Sequence, residues 1–196
     1  MSTTSVGPYP PVLVRADEAE HLDPIGHVLL ADSSATAGTL SSHRVALARG
    51  ADGAVPHRHD KSSELFYILD GAFDLLVADN VVTARTGDLL VVPPGSAHAF
   101  AAHRDSTAEA LIIATPGIER FDYFRHVVRR RNGSEPPEVL LGMQDRFDTH
   151  FLDSPAWQRA RAAAGPQQET RSRTPAITGT ESGKPVRSGQ NRGFSA

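Results

Sequence analysis

From His27 to Pro116 the chain sets short apolar runs between Gly, Pro, Asp and Asn. The runs are His27-Val28-Leu29-Leu30, Val45-Ala46-Leu47, Leu65 to Leu69, Phe73 to Val77, Val81-Val82, Leu89 to Val92 and Leu111-Ile112-Ile113. Turn residues separate them at Asp52-Gly53, Asp70-Gly71, Asp79-Asn80 and Thr86-Gly87-Asp88. Many short strands at this spacing predict an all-β sandwich or barrel over 25–116. After Pro116-Gly117 the period changes. Ile118, Phe121, Phe124 and Val128 recur at three or four residues, which gives one helix an apolar face. A second helix is expected after Ser134-Glu135-Pro136-Pro137. A third is expected from Asp153-Ser154-Pro155, where an N-cap residue precedes proline, to about Gly165-Pro166. These make a helical extension over 117–164. Residues 1–24 are polar and proline-bearing, and read as an arm that packs or swaps onto a neighbour. Residues 165–196 hold almost no large apolar groups, so burial cannot offset ordering entropy, and a disordered tail is expected.

Composition narrows the function classes. The 196 residues carry a net charge of −3, with no basic stripe of the kind that reads nucleic acid. The short run Arg129-Arg130-Arg131 reads as a helix C-terminus complementing the helix dipole. There are no cysteines, so disulfides and thiolate metal sites are excluded. No apolar stretch approaches a membrane span, and residues 1–11 lack the basic start and apolar run of a signal peptide. The expected location is cytoplasmic.

The chemistry lies in the histidines. His57 and His59 are two apart, so on a strand they point to one face. Glu64 follows after a four-residue loop and opens the next apolar run, sharing a face with Phe66 and Ile68. A carboxylate in that company is costly unless it is paired or metal-bound. His98 follows the turn Pro93-Pro94-Gly95-Ser96-Ala97, with Phe100 on its face. Three neutral imidazoles and one carboxylate suit iron, manganese, nickel, cobalt or zinc. The remaining histidines (His21, His27, His43, His103, His126 and His150) show no comparable spacing and read as ordinary surface or core residues.

These residues resemble a known family. His57-x-His59-x4-Glu64-x6-Gly71 resembles cupin motif 1, and Gly87-x5-Pro93-x-Gly95-x-x-His98 resembles cupin motif 2. Two positions depart from the family pattern. Ala51 stands where motif 1 usually begins with glycine, and Ala102 stands where motif 2 often ends with asparagine. Neither position is a metal ligand in the family. The stretches 57–71 and 87–100, with Thr115 to Phe121, look most like single-domain bacterial quercetinase-like cupins.

The resemblance implies an all-β fold, a single jelly-roll barrel followed by C-terminal helices. It also implies one divalent metal per chain, with nickel, cobalt, manganese or iron as candidates, held by His57, His59, Glu64 and His98. The implied partners are a small-molecule substrate, dioxygen and a second copy of the chain in a homodimer, with no nucleic acid and no membrane. The implied activity is a metal-dependent dioxygenase on a flavonol-like or other enolisable aromatic. Glu64 would be general base, its pKa raised by burial against the opposing pull of the cation. Phe66, Ile68, Phe73, Leu75 and Phe100 are candidates for the pocket wall, and they equally suit an ordinary barrel core. A metal-dependent isomerase, cyclase or dehydratase, and a small-molecule-binding cupin without catalysis, remain open.

Overall fold

The computed structural model describes residues 9–164. The expected tail, 165–196, and the first eight residues of the arm lie outside them. Ten strands run in order: β1 Glu20–Leu22, β2 His27–Ala31, β3 Ser41–Leu47, β4 His57–Arg58, β5 Ser63–Val77, β6 Asn80–Arg85, β7 Leu89–Val92, β8 His98–Ala102, β9 Ala108–Thr115 and β10 His150–Phe151. Three helices follow the barrel strands: α1 Phe121–Arg131, α2 Pro137–Leu141 and α3 Pro155–Ala164. The fold is a single antiparallel jelly-roll barrel with C-terminal helices. No helix among the described residues is long and apolar enough to cross a membrane.

Asp70-Gly71 was expected to be a turn, and it is not one. β5 runs unbroken through it, with an irregularity in pairing between Ile68 and Asp70. A bulge changes which face each side chain takes. Up to Ile68 the even residues Glu64, Phe66 and Ile68 point inward; beyond the bulge the odd residues Phe73 and Leu75 join the same core. Gly71 makes the bulge possible. Its φ is +68°, and a Cβ there would lie 1.9 Å from the Thr107 carbonyl oxygen. The bulge lets β5 serve both sheets. Its first half pairs with β7 and β9, and its second half with β6 and β8.

The core between the sheets holds Val45, Phe66, Ile68, Phe73, Leu75, Val92, Phe100 and Ile112. β8 is buried on both faces. Phe100 and Ala102 face this core, while Ala99 and Ala101 pack with Leu76 under Trp157 of α3. That double burial explains why its apolar pattern does not alternate. On the other side α1 lays Phe124 against Ile25 and Leu29. Glu20–Leu22, within the stretch read as an arm, pairs with β2.

Candidate metal centre

β4 and β8 pair through a single register position, His57 opposite His98. That alone sets two imidazoles side by side, their ring centroids 4.2 Å apart. His59 lies one residue past β4, its ring 5.0 Å from His57 and 5.1 Å from His98. Glu64 enters from β5, with Oε2 3.0 Å from His98 Nε2 and Oε1 3.6 Å from His59 Nε2. All four side chains are buried, and one ligand atom from each lies within 4.8 Å of the others. The loop between His59 and β5, the turn before His98 and the β4–β8 register thus bring together the four residues that the spacing singled out.

Every imidazole is fixed from behind. His57 Nδ1 donates to the Val55 carbonyl (2.8 Å), His98 Nδ1 to the Ser96 carbonyl (3.0 Å), and His59 Nδ1 to the Asp148 carbonyl. In the neutral form that binds a metal, each ring then turns its Nε2 lone pair inward. Burial, reinforced by the neighbouring rings of His98 and His59, pushes the His57 imidazole well below its usual pKa, which keeps it neutral as a metal ligand must be. The close approach of His98 Nε2 to Glu64 Oε2 is then one between two lone-pair atoms. His59 Nε2 and His98 Nε2 have no hydrogen-bond donor. Buried acceptors that face one another without a donor need a cation between them. The donor set and these orphaned atoms fit a divalent first-row ion.

Two functional residues left no periodic signal in the sequence. The first is Arg120, which is buried and sends Nη1 to Glu64 Oε1 at 2.6 Å. It sits just before α1, where Asp32 caps the helix by accepting from the backbone N–H groups of Arg120 (2.8 Å) and Phe121 (3.2 Å). Burial alone would raise the Glu64 carboxyl. The Arg120 guanidinium outweighs burial and holds it well below the usual carboxylate range. The expectation of a raised pKa for Glu64 is therefore corrected, because a buried cation sits against it that spacing did not reveal.

The second is Asp148, at the end of the segment that returns from the helices to add β10 beside β4. Its backbone is left-handed, with φ of 45°. Its carbonyl holds His59, while its carboxylate accepts from the N–H groups of Asp60 (2.9 Å) and Lys61 (3.0 Å). Asp148→Gly keeps the backbone geometry and the carbonyl but releases the 59–61 loop. The expected result is a folded protein whose affinity for Mn²⁺, read by calorimetric titration, falls by about tenfold. Unchanged affinity would mean that His59 needs no such support.

A cavity of about 430 Å³ reaches the centre. His57, Glu64, Phe100, Arg120, Tyr123 and Phe124 line it, together with His27 and His43. Of the five apolar residues considered for a pocket wall, Phe100 lines this cavity, while Phe66, Ile68, Phe73 and Leu75 fill the barrel core. His27 and His43, read as unremarkable, stack with ring centroids 5.2 Å apart and planes 6° from parallel. The alternation of buried Ser41, His43 and Val45 on β3 is the signal that points His43 inward. By contrast, His103 pairs with Asp74 and His126 with Glu135, as structural residues do.

Burial pushes His27 down to about 4 and His43 well below its usual value. The unfolded chain protonates these imidazoles near 6.5, so between that pH and about 4 it binds more protons than the fold does. Stability therefore rises with pH in this window and is lost on acidification, by up to about 1.4 kcal/mol per pH unit for each such histidine. The urea midpoint of metal-free protein is expected to be clearly lower at pH 5 than at pH 7.5. Equal midpoints would show that these rings are charged in the fold.

Residues 43–114 match the family model described as a cupin domain. This segment is similar to cupin domains. It holds all four candidate ligands and both motifs, while Arg120 and Asp148 lie beyond it. No curated protein matches the chain. Among solved structures, KdgF from a Halomonas species overlays at 22% identity with a TM-score of 0.44, over 54% of this chain and 94% of that one. The Streptomyces protein PAC13, in a form with uridine, overlays at 19% identity and 0.45, over 58% and 88%. The polyketide cyclase RemF from Streptomyces resistomycificus overlays at 21% identity and 0.42, over 53% and 74%. At these values nothing is carried over from them to this chain.

Proposed function

We propose that the chain is a metal-dependent oxygenase acting on a flavonol-like or other enolisable aromatic small molecule. The observation that supports this reading is the cluster of three imidazoles and one carboxylate, with a cavity that reaches it at His57 and Glu64. The volume of about 430 Å³ lies within the roughly 300–1,000 Å³ of small-molecule sites. Nickel, cobalt, manganese or iron held by His57, His59, Glu64 and His98 would supply a Lewis acid and an electron-transfer centre. The chain's residues do the rest. Phe100, Phe124 and Val127 offer an apolar wall that excludes water from a flat aromatic body. Glu64, kept ionised by Arg120, accepts the proton of an approaching hydroxyl only as the pull of Arg120 on it weakens. A homodimer belongs to the same proposal. Tyr67, Leu69, Leu89 and Val91 form an exposed apolar face on the outer side of β5 and β7, which a second copy would cover.

One observation favours a second reading, a metal-dependent isomerase, cyclase or dehydratase. His27 and His43 bring two neutral imidazoles to the cavity, where they can accept hydrogen bonds from substrate hydroxyls without any need for dioxygen. The test is oxygen consumption with quercetin by protein reconstituted separately with nickel, cobalt, manganese and iron, with metal-free protein as control. Metal-dependent uptake with loss of the flavonol absorbance is expected. No uptake with any metal overturns the oxygenase reading in favour of the second.

A further inference from the structure

Arg120 is more than the partner of Glu64. Only its Nη1 is spent on the carboxylate; Nε is buried without a hydrogen-bond partner among the described residues. An unmet guanidinium N–H in a buried place is costly, and proteins rarely keep one without use. The guanidinium plane is fixed by aromatic neighbours, with its central carbon 5.3 Å from the Phe124 ring centroid and 5.9 Å from that of Tyr123. Asp32 pins the backbone at the same residue. Arg120 also lines the cavity that reaches His57 and Glu64 of the four ligands. It is thus a rigid cation with one free edge.

Charge counting points the same way. Three neutral imidazoles, the Glu64 carboxylate and the Arg120 guanidinium make a site of no net charge. A divalent ion there leaves two positive charges in a buried space, and such a space favours an anion. The cavity rim adds Arg130 and Arg131. Asp23 and Asp52 share that rim, but Asp52 is already engaged by Arg161 at 2.9 Å. The nearby walls are apolar, from Phe100, Phe124 and Val127.

We propose that Arg120 is the anion receptor of this cavity, binding a planar organic oxyanion, carboxylate or enolate, through the guanidinium N–H groups that Glu64 leaves unpaired while the apolar body lies against Phe100 and Phe124. The proposal deepens the metal-centre reading and rests on it for the added positive charge. Guanidinium edges match planar oxyanions with paired N–H donors, which a lysine ammonium cannot copy.

The test uses the full chain loaded with Mn²⁺, with loading followed by electron paramagnetic resonance. The probes are benzoate and its neutral counterpart benzamide, titrated calorimetrically. Wild type is expected to prefer benzoate by tenfold or more. Arg120→Met should lose that preference with benzamide affinity unchanged, and Arg120→Lys should keep only part of it. Should Arg120→Met fail to fold, the Arg120→Lys comparison carries the test alone. A benzoate preference that survives both substitutions overturns the proposal, since the ion alone would then hold the anion. Failure of the metal reading looks different. Wild type would show no Mn²⁺ loading, and an Arg120-dependent benzoate preference measured without metal would still uphold the receptor.

Discussion

His98→Ala is expected to abolish metal binding and turnover while leaving the barrel folded. The side chain supplies one of four ligand atoms, and its loss leaves two imidazoles and a carboxylate. Loss of a supporting group behind a ligand already costs roughly 10- to 100-fold in metal affinity, so loss of the ligand itself should exceed about a hundredfold. The fold has little stake in this ring. β8 remains paired to β5 from Ala99 to Ala102, and its two faces keep the Phe73–Phe100 core on one side and Trp157 on the other. His59→Ala should match it in metal loss, although it also frees the Asp148 carbonyl. The checks are Mn²⁺ titration for binding and far-ultraviolet circular dichroism with thermal melting for the fold. If metal-free wild type is itself unfolded, the ion is structural and the proposed chemistry loses its basis.

The part of this centre that was legible in the sequence is the part set by local spacing. His57 and His59 need only a strand, and Glu64 and His98 need only the turns before them. The barrel was legible for the same reason, since its strands carry their own apolar alternation. What spacing could not show is whatever arrives from a distant element. Arg120 reaches Glu64 across 56 positions of chain, and Asp148 reaches His59 across 89. No periodicity encodes such meetings; they follow from how α1 and β10 dock. Asp70-Gly71 failed for a different reason. Its residues favour a turn, yet the same left-handed glycine serves a bulge inside a long strand, and pairing with β9 on one side and β6 on the other decides between them. The pocket wall could not be sorted either. Phe66 and Phe100 meet in the same core, ring centroids 5.7 Å apart, yet of the two only Phe100 also lines the cavity.

Glu64→Gln tests what that distant arginine does. The substitution keeps the shape of the side chain and removes its charge. In wild type the carboxylate answers Arg120 at 2.6 Å in a place closed to water. Glutamine leaves the guanidinium buried without an anion, and breaking a buried pair in this way costs about 3–5 kcal/mol. For a chain of this size that is a fall in melting temperature on the order of 10 °C for the metal-free protein. The three imidazoles remain, so the variant should still take up metal, more weakly than wild type. Turnover should drop by roughly 10²–10⁴ if Glu64 accepts a proton from substrate. The double variant Glu64→Gln/Arg120→Met separates the two effects. It removes both charges together, so it should recover most of the lost melting temperature without recovering turnover, because the group that accepts the proton is still missing. Recovery of neither would show that Arg120 is stabilised by something other than Glu64. Unchanged turnover in Glu64→Gln would remove the carboxylate from the chemistry and pass its role to His27 and His43, the other proton acceptors on the cavity wall.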